Sequence, residues 1–493
     1  MPAVRLKKDL DLDFSGLVEY INRSDANVCI DSRLVKAGDV FAAIKGTAVD
    51  GHDFICLALE NGAAYIVCDR KNQSPGEKTI IVDDTAEAFG VLSQAKYRYP
   101  CEKLINLAVT GTNGKTTVGF LTRAIIEAAG KKCGLIGTIL YDTGEKKKEA
   151  PLTTPDAGQI AMLAAGMVDN GAGFMAIEAS SHALSQRRLA GVEFTGAAFT
   201  NLTGDHLDYH KTKENYLAAK TLLFKKLKPD ATAVLNRQSP ESYMLAKNTA
   251  AKILWYGIDT DADISAEIVS MELGRTVYNL RYGGQCRQVK TSLIGKHNIS
   301  NHLAAAGLAL AAGIDLAAVV KGLSGLSAVD GRLESVDCGQ DFSVLVDYAH
   351  TDDALKNVLS TLRPLCKGRL TVVFGCGGDR DRTKRTRMAK EAQALADRIV
   401  VTSDNPRTEN PGQIIDDIMA GFRDIGSIDV TAIEDRKEAI ELAVGTANKD
   451  DIVLIAGKGH ETYQIIGRTR HDFDDRKIAA TALRKKGMVS AAD

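Results

Sequence analysis

Residues 110–117 have the composition of a loop that binds phosphate, Thr-Gly-Thr-Asn-Gly-Lys-Thr-Thr. The apolar run 104–109 before them predicts a buried strand, and residues 118–126 after them predict a helix. Glycines let backbone N–H groups approach a polyphosphate, the helix N-terminus adds a favourable dipole, and Lys115 adds a cation. A hydroxyl of Thr116 or Thr117 can bind Mg²⁺. The segment predicts an ATP site, although Val109 stands where the common motif has glycine. The residues assigned to the phosphates are Gly111, Thr112, Asn113, Gly114, Lys115, Thr116 and Thr117.

Two further side chains are candidates for holding a second Mg²⁺ beside the triphosphate. Glu178 lies near the end of the predicted strand 176–180, and His206 lies in the polar segment after the predicted strand 197–201. Mg²⁺ normally prefers oxygen ligands, and His206 taken alone is also typical of a structural histidine at a helix start. Because open α/β sheets bind ligands at the carboxyl ends of their strands, we expect both segments to converge with the loop.

The pattern of strands and helices predicts an α/β protein of three domains, which suits a length of 493 residues. Residues 1–100 are expected to form a small α/β domain, residues 101–328 a central ATPase-type α/β domain related to P-loop proteins, and residues 329–493 a Rossmann-like α/β domain. The last domain is expected to contain a mostly parallel sheet. Its strand candidates are residues 343–347, 370–374, 398–401 and 452–455.

Bulk properties argue against several classes of protein. Lys and Arg total 62 against 63 Asp and Glu, so no net field favours nucleic acid or an anionic membrane. Charge interrupts residues 1–11 too early for a signal peptide. The apolar stretch 303–314 is too short to cross a bilayer and predicts a packed helix. The nine cysteines form no C-x-x-C pair, which argues against zinc or a disulfide framework. We therefore expect a cytoplasmic enzyme, monomeric and without a nucleic-acid or membrane partner.

The basic run at residues 380–387 offers one rival interpretation, an ATP-driven protein that binds nucleic acid. No aromatic residues alternate with these cations, and stacking on aromatic rings is how single strands are usually held. A solvated helix face is therefore the preferred interpretation of the run.

A set of ordered motifs makes the chain resemble the Mur ligases, ATP-dependent enzymes that build the peptide stem of peptidoglycan. The resemblance covers essentially the whole chain. It rests on residues 111–117, 178–182, 201–210, the helix around Lys220, and residues 295–301, 347–351, 375–381 and 457–461.

The resemblance implies that meso-2,6-diaminopimelate is joined to the D-glutamyl carboxylate of UDP-N-acetylmuramoyl-L-alanyl-D-glutamate. ATP would convert that carboxylate into an acyl phosphate, and the amine would displace the phosphate. Cations such as Lys115, Arg380 and bound metals should then dominate the site. Three alternatives stay open: a lysine-adding member of the family, a ligase like the folylpolyglutamate synthetases, and a nucleotide-binding regulator without catalytic activity.

The resemblance also assigns roles around the nucleotide. Lys220 matches a family lysine that CO₂ carbamylates, which turns a cation into a carboxylate-like metal ligand. The catalytic residues are then Lys115, Glu178, His206 and Lys220, and the metal ligands are Thr116, Glu178, His206 and Lys220. Adenine is expected near Asn301, with Arg332 and Asp347 reaching the nucleotide from the third domain.

The UDP-sugar is expected in the first domain and its peptide in the central one. By resemblance, the residues for the UDP-sugar are Ile30, Ser32, Thr47, Ala48 and Val49. Those for the peptide are Thr153, Thr154, Ser180, Gln186 and Arg188. Without the resemblance, Thr153 and Thr154 would be typical of an ordinary turn or helix cap before a proline.

The segment Asp404-Asn405-Pro406-Arg407 resembles that of diaminopimelate-adding members of the family. Diaminopimelate carries an extra carboxylate that suits the planar fork of Arg407. Lysine lacks it and would leave the guanidinium unpaired, at a cost on the order of 2–4 kcal/mol. Gly457 and Glu461 are expected to receive the neighbouring ammonium group. In isolation the same four residues are also typical of a bare turn.

Overall fold

The computed structural model describes residues 13–47, 49–69, 78–204, 206–423 and 429–490. Within these ranges the strands form a four-stranded, an eleven-stranded and a six-stranded sheet and a two-stranded hairpin. The three sheets follow one another along the chain, and helices pack against them, so the predicted α/β class is confirmed. We refer to residues 13–100, 101–328 and 329–490 as the N-terminal, central and C-terminal regions. As domain boundaries, residues 100 and 328 remain predictions.

Among its described residues, the N-terminal region has a four-stranded parallel sheet and three α-helices. Its elements are α1 (Phe14–Arg23), β1 (Val28–Cys29), β2 (Val40–Ala42), α2 (Ile55–Glu60), β3 (Tyr65–Asp69), β4 (Thr79–Val82) and α3 (Thr85–Lys96). Asp13 and Asp84 begin α1 and α3 by accepting a backbone N–H of the first turn. The core lies between α1, α3 and one face of the sheet, around Leu17, Val67 and Leu92.

The central region carries the eleven-stranded sheet, in the order β15-β14-β13-β12-β11-β10-β5-β9-β6-β7-β8. Its strands are β5 (Ile105–Thr110), β6 (Cys133–Ile136), β7 (Leu140–Asp142), β8 (Lys147–Glu149), β9 (Phe174–Glu178), β10 (Gly196–Phe199), β11 (Thr232–Asn236), β12 (Lys252–Ile258), β13 (Ile264–Glu272), β14 (Arg275–Tyr282) and β15 (Gln285–Thr291). Its helices are α4 (Lys115–Ala128), α5 (Ala157–Asp169), α6 (Ser181–Ser185), α7 (Leu207–His210), α8 (Lys213–Lys225), α9 (Glu241–Lys247), α10 (Lys296–Ala311) and α11 (Leu316–Gly325). Helices α4, α10 and α11 bury one face of the sheet, and α5 and α8 bury the other.

The predicted convergence at the strand ends is confirmed. Strand β5 pairs in parallel with β9 on one side and β10 on the other, with Val109 opposite Glu178 and Thr110 opposite Phe199. The loop after β5, Glu178 and the segment after β10 therefore leave the sheet at one edge. The predicted packed helix is also confirmed as the buried second half of α10, which ends at Ala311. Among the described residues, no helix has the length and hydropathy needed to cross a membrane.

The C-terminal region contains the six-stranded sheet, in the order β16-β17-β21-β18-β19-β20. Its strands are β16 (Glu334–Ser335), β17 (Ser343–Asp347), β18 (Leu370–Phe374), β19 (Arg398–Val401), β20 (Asp429–Ala432) and β21 (Ile452–Ala456), followed by the hairpin β22 (Tyr463–Ile466) and β23 (Thr469–Asp472). Its helices are α12 (Asp352–Leu362), α13 (Thr383–Leu395), α14 (Pro411–Met419), α15 (Arg436–Gly445) and α16 (Asp475–Ser490). The four predicted strands are present and parallel, and only β16 runs antiparallel.

The basic run 380–387 is not a uniformly solvated helix face. Arg385, in the first turn of α13, is fully buried and pairs with Glu409 and Asp417. The sequence interpretation was therefore wrong for this residue. Charge alone does not show which residues of a helix face the core, and the two acidic partners lie 24 and 32 residues further along the chain.

Candidate functional site

The loop after β5 forms one wall of a cavity of about 260 Å³, and α10 and the C-terminal region complete it. Gly111 and Gly114 have φ of 152° and 90°, and a Cβ on Gly114 would lie 2.2 Å from Oδ1 of Asn301. Glycine is therefore required where α4 begins against α10. Lys115 Nζ donates to the carbonyl oxygens of Gly111 and Thr112, at 2.9 Å each, so the cation lies over its own loop. The cavity lining also includes Thr112, Asn113, Thr116 and Thr117.

Glu178 is buried at the end of β9 and faces this cavity. Its carboxylate accepts hydrogen bonds from Thr116 Oγ1 at 3.0 Å and from the backbone N and Oγ1 of Thr138 at 2.9 Å each. A Cβ on Gly137 would lie 2.2 Å from Glu178 Oε1, so the turn after β6 is closely fitted to the carboxylate. Sequence reasoning missed Thr138. Its signal was the Gly-Thr pair directly after an apolar run.

Lys220 and His206 line the same cavity. Lys220, on α8, is 1% exposed, and its Nζ donates to the carbonyl oxygen of Gly111 at 2.8 Å. The same Nζ lies 4.3 Å from the ring centroid of Tyr216. The His206 ring packs edge-on against the His182 ring, with 4.8 Å between the two ring centroids. Tyr216 and His182, which the sequence did not single out, therefore pack against these two side chains.

The donor set suits a magnesium ion that is shared with phosphate. Among the described residues, no cluster of three or more His, Cys, Asp or Glu is arranged to hold a metal by itself. Mg²⁺ commonly takes one or two protein oxygens and completes its shell with phosphate and water. The Thr116 hydroxyl and the Glu178 carboxylate, 3.0 Å apart, fit that description.

Two residues of the C-terminal region reach the cavity as expected. Arg332 Nη2 donates to Thr116 Oγ1 at 3.2 Å, and its guanidinium lies 4.8 Å from the ring centroid of Tyr348. Asp347, at the end of β17, accepts the backbone N–H groups of Leu333 and Ala349. Burial raises the pKa of Asp347, an effect that Arg332 opposes. Asn301 also lines the cavity.

A second cavity, of about 1010 Å³, lies between the N-terminal and central regions. It contains four of the residues assigned to the UDP-sugar; the fifth, Ala48, lies outside the described residues. Ile30 and Val49 expose 40% and 58% of their surfaces and give it an apolar rim. The four are Ile30, Ser32, Thr47 and Val49, and Gln186 and Arg188 lie on the central side.

A line of hydrogen bonds runs from the large cavity to Glu178. Arg188 Nη1 donates to the carbonyl oxygen of Thr154 at 2.8 Å, and Thr154 Oγ1 donates to that of Glu178 at 2.6 Å. The Ser180 backbone N–H donates to the same Thr154 hydroxyl, and Gln186 Oε1 accepts from Arg188. Thr153 continues the line through Thr138 Oγ1 at 3.1 Å. The residues predicted for the peptide thus form one connected group.

Residues 404–407 follow β19 at the carboxyl edge of the C-terminal sheet. Asn405 Nδ2 donates to Glu461 Oε2 at 2.9 Å, and Lys458 Nζ donates to Asn405 Oδ1 and Glu461 Oε2 at 3.0 Å each. Asp404 is buried against Gly457, where a Cβ would lie 2.6 Å from its carboxylate. Burial alone would raise the pKa of Asp404, but Lys458 and nearby cations hold it below its ordinary value.

Arg407 is half-buried and has φ of 52°, which is unusual for a bulky side chain. Its backbone N–H donates to the carbonyl oxygen of Ile465 in the hairpin, and its Nη1 donates to that of Gly378 at 2.7 Å. The other predicted cation, Arg380, is exposed beside this loop. Pro406 is buried beneath it.

Three family models match the chain in order. They are described as "Mur ligase family, catalytic domain" over residues 26–97, "Mur ligase middle domain" over 109–309, and "Mur ligase, glutamate ligase domain" over 331–459. The chain is 46% identical, over 94% of its length and 96% of the relative's, to the UDP-N-acetylmuramoyl-L-alanyl-D-glutamate--2,6-diaminopimelate ligase of Bacillus licheniformis.

Solved structures agree with these matches. A UDP-N-acetylmuramoyl-L-alanyl-D-glutamate--2,6-diaminopimelate ligase superposes with a TM-score of 0.68 at 35% identity, over 94% of this chain and 95% of that one. The MurF ligase of Thermotoga maritima in complex with ADP shares the fold at 17% identity, with a TM-score of 0.62 over 96% and 99% of the two chains. The chain belongs to the Mur ligase family.

Proposed function

We propose that the chain is the ligase that joins meso-2,6-diaminopimelate to the D-glutamyl carboxylate of UDP-N-acetylmuramoyl-L-alanyl-D-glutamate, with conversion of ATP to ADP and phosphate. The observation that carries this proposal is the hydrogen-bonded line from Arg188 through Thr154 to Glu178, which links the large cavity to the loop after β5. A nucleotide-linked peptide lying in the large cavity along that line would bring its carboxylate to the phosphate site.

The loop residues would bind the triphosphate and orient its terminal phosphoryl group. Lys115 would exchange the carbonyl oxygens of Gly111 and Thr112 for phosphate oxygens. Thr116 and Glu178 would hold Mg²⁺, which neutralises phosphate charge when bound. Transfer of the γ-phosphoryl group to the D-glutamyl carboxylate gives an acyl phosphate and ADP. The amine of diaminopimelate then attacks the acyl carbon, and phosphate leaves with the bonding electrons.

We also propose that Lys220 carries a carbamate. As an ammonium, the buried Nζ would repel a metal near Glu178, whereas a carbamate supplies an oxygen ligand. Lys220→Ala should lose most of the ligase activity, and added formate or acetate should restore part of it by replacing the carbamate oxygens. Lys225→Ala, in the last turn of the same helix, is the matched control. Failure of every short carboxylate to restore activity would contradict the carbamate.

Selectivity for the amine is assigned to residues 404–407 with Arg380, Gly457 and Glu461. The Arg407 guanidinium offers two adjacent N–H donors to the distal carboxylate of diaminopimelate. Gly457 and Glu461 would supply acceptors for the distal ammonium, and Glu461 is held in place by a hydrogen bond from Asn405. L-Lysine would leave the guanidinium without an anion.

The deciding experiment measures ADP release with the UDP-linked dipeptide, ATP and a panel of amines. The wild type should use meso-diaminopimelate far better than L-lysine. Arg407→Ala should lower kcat/KM for diaminopimelate by about ten- to a hundred-fold, the effect of one charged bidentate contact. Its KM values for ATP and the UDP-substrate should change little.

Arg369→Ala is the control, because the Arg369 side chain is half exposed and its ion pair with Asp429 is long, at 3.6 Å. Efficient use of L-lysine by the wild type would overturn the assigned selectivity. Equal losses with both amines in Arg407→Ala would show that this arginine maintains the shape of the loop instead of binding substrate.

A further inference from the structure

The amino-acid loop, residues 404–407, is held between two other segments of the C-terminal region. On one side, the Gly378 backbone N–H donates to the carbonyl oxygen of Asn405 at 3.0 Å, and Arg407 donates back to that of Gly378. On the other side, Arg407 pairs with the hairpin through Ile465. The place of the Arg407 guanidinium therefore depends on where the backbone of residues 378 and 379 lies.

One carboxylate outside the amino-acid loop fixes that backbone. Glu409 Oε1 accepts the Asp379 backbone N–H at 2.6 Å. Both of its oxygens accept from Nη2 of the buried Arg385 at 3.0 Å, and Oε2 forms an ion pair with Arg382 Nη2 at 3.0 Å. The Glu409 side chain is 12% exposed, so these charge-assisted contacts are largely shielded from water.

A second contact ties the same two segments together at the surface. Thr408 Oγ1 donates to the carboxylate of Asp379 at 2.8 Å, and the Thr408 backbone N–H donates to it at 3.2 Å. Thr408 thus holds the side chain of Asp379, and Glu409 holds its backbone.

We propose that Glu409 is a positioning residue for amine selection. It anchors the backbone at Asp379 to α13 through Arg385, and so sets the position of Gly378 and of the guanidinium that Gly378 holds. Glu409 itself does not touch the substrate. The inference rests on the proposed function, in which residues 404–407 receive the amine.

A purely structural role for Glu409 would be to neutralise the buried Arg385. Asp417 separates the two roles, because it also pairs with Arg385, at 2.8 Å, while it accepts its other hydrogen bond from Gln413 within α14. Replacing either acid removes one anion from Arg385. Only replacement of Glu409 also weakens the anchor of the Asp379 backbone, because the carboxylate that accepts its N–H is lost.

Glutamine is the informative substitute at position 409. The carboxylate accepts at both oxygens and every one of its partners is a donor. An amide of the same size presents an NH₂ group to one of those donors, so one set of contacts must break. Small misplacements of binding groups cost up to about a hundred-fold in rate.

The test compares Glu409→Gln, Thr408→Val and Asp417→Asn in the full-length enzyme, with steady-state kinetics for each substrate and thermal unfolding. Glu409→Gln should raise the KM for diaminopimelate roughly ten-fold or more, with KM values for ATP and the UDP-substrate within about two-fold of wild type. Thr408→Val should shift the same KM in the same direction by less. Asp417→Asn should lower the unfolding temperature as Glu409→Gln does, and leave the KM for diaminopimelate unchanged.

Equal KM values for diaminopimelate in wild type, Glu409→Gln and Thr408→Val would overturn the inference, as would an equal KM rise in Asp417→Asn. If Glu409→Gln does not fold, Glu409→Asp takes its place, since the shorter side chain keeps an anion at this position but withdraws it from the Asp379 backbone N–H. A wild type that does not use diaminopimelate overturns the proposed function instead. The same variants are then judged on the amine that the wild type does use.

Discussion

The central region meets the N-terminal region and the C-terminal region through different kinds of contact. At the first junction, α3 of the N-terminal region packs backbone to backbone on the central region: a Cβ on Gly90 would lie 2.5 Å from the Ala190 backbone. Phe89 fills the space beside Ala157 and Gly158. The close-packed part of this junction resists sliding, and ion pairs of Arg187 with Asp84 and of Lys226 with Glu87 cross the same junction.

The second junction, with the C-terminal region, is made largely of polar side chains that belong to the site itself. Asn113 of the loop donates to Asp353 at 2.9 Å, and Arg332 donates to Thr116. An exposed pair between Arg470 and Glu149 joins the two regions further out. Ile294 and Met271 add apolar contact with the C-terminal core.

The difference indicates which part moves. A close-packed junction holds the N-terminal and central regions as one body, so the large cavity keeps its shape. A polar junction made of loop residues can exchange its contacts for those of a bound nucleotide at small net cost. We therefore expect the C-terminal region to change position during turnover.

The largest effect is expected from removing Arg332, whose guanidinium crosses the second junction to Thr116. Arg332→Ala should lower kcat/KM for ATP by roughly ten- to a hundred-fold, because a charge-assisted hydrogen bond near the phosphates is lost. The free energy of unfolding should change little. Arg281→Ala, at an exposed pair with Glu267, is the control. A large loss of stability without a kinetic change would show that the second junction is structural like the first.

At the first junction we expect the reverse, an effect on stability. Gly90→Ala forces a methyl group against the Ala190 backbone and should cost roughly 1–3 kcal/mol in the free energy of unfolding, measured in urea. Gly166→Ala is a matched control inside α5, where the added Cβ would have only ordinary contacts. There alanine should stabilise the helix by about 0.5–1 kcal/mol. Similar results for both variants would remove the evidence for a close-packed junction.

A smaller effect, on stability in acid, is expected for His302 in the central region. Burial lowers the pKa of His302 to about 3, and its Nδ1 lies 2.8 Å from the Tyr278 hydroxyl. In the unfolded chain the His302 imidazole takes up a proton near pH 6.5. The contribution of the neutral, buried imidazole to the free energy of unfolding is therefore complete above that pH and is lost as the pH falls towards about 3. His302→Asn, which does not titrate, should reduce the fall in unfolding temperature between pH 6.5 and 4. An unchanged pH profile would contradict the assignment to His302.

The smallest measurable change is expected in overall dimensions. Small-angle scattering with the UDP-substrate and a non-hydrolysable ATP analogue should show a reduced radius of gyration relative to the free protein. The UDP-substrate alone should change it less, because that ligand is proposed to bind in the large cavity at the first junction. Identical profiles in all states would mean that the second junction is as rigid as the first.

Local signals in the sequence were sufficient to predict the elements around the loop after β5. The strand, glycine loop and helix around Lys115 are contiguous, and Glu178 lies at a strand end whose neighbours the α/β pattern predicts. Thr138 was not predicted because it contacts Glu178 only in the folded structure, and the two residues are 40 positions apart in the sequence. The burial of Arg385 and the role of Glu409 depend on packing between α13, α14 and two loops, which charge patterns do not encode.

The positive φ of Arg407 has a consequence for attempts to redesign the enzyme. An arginine keeps that conformation only while its neighbours impose it, and those neighbours come from residues 378–379 and the hairpin around Ile465. Replacing residues 404–407 alone with those of a relative that prefers another amine would leave out the two segments that hold Arg407 in this conformation. Exchange of selectivity between relatives should therefore require three segments, distant in sequence, to be transplanted together as a single cassette.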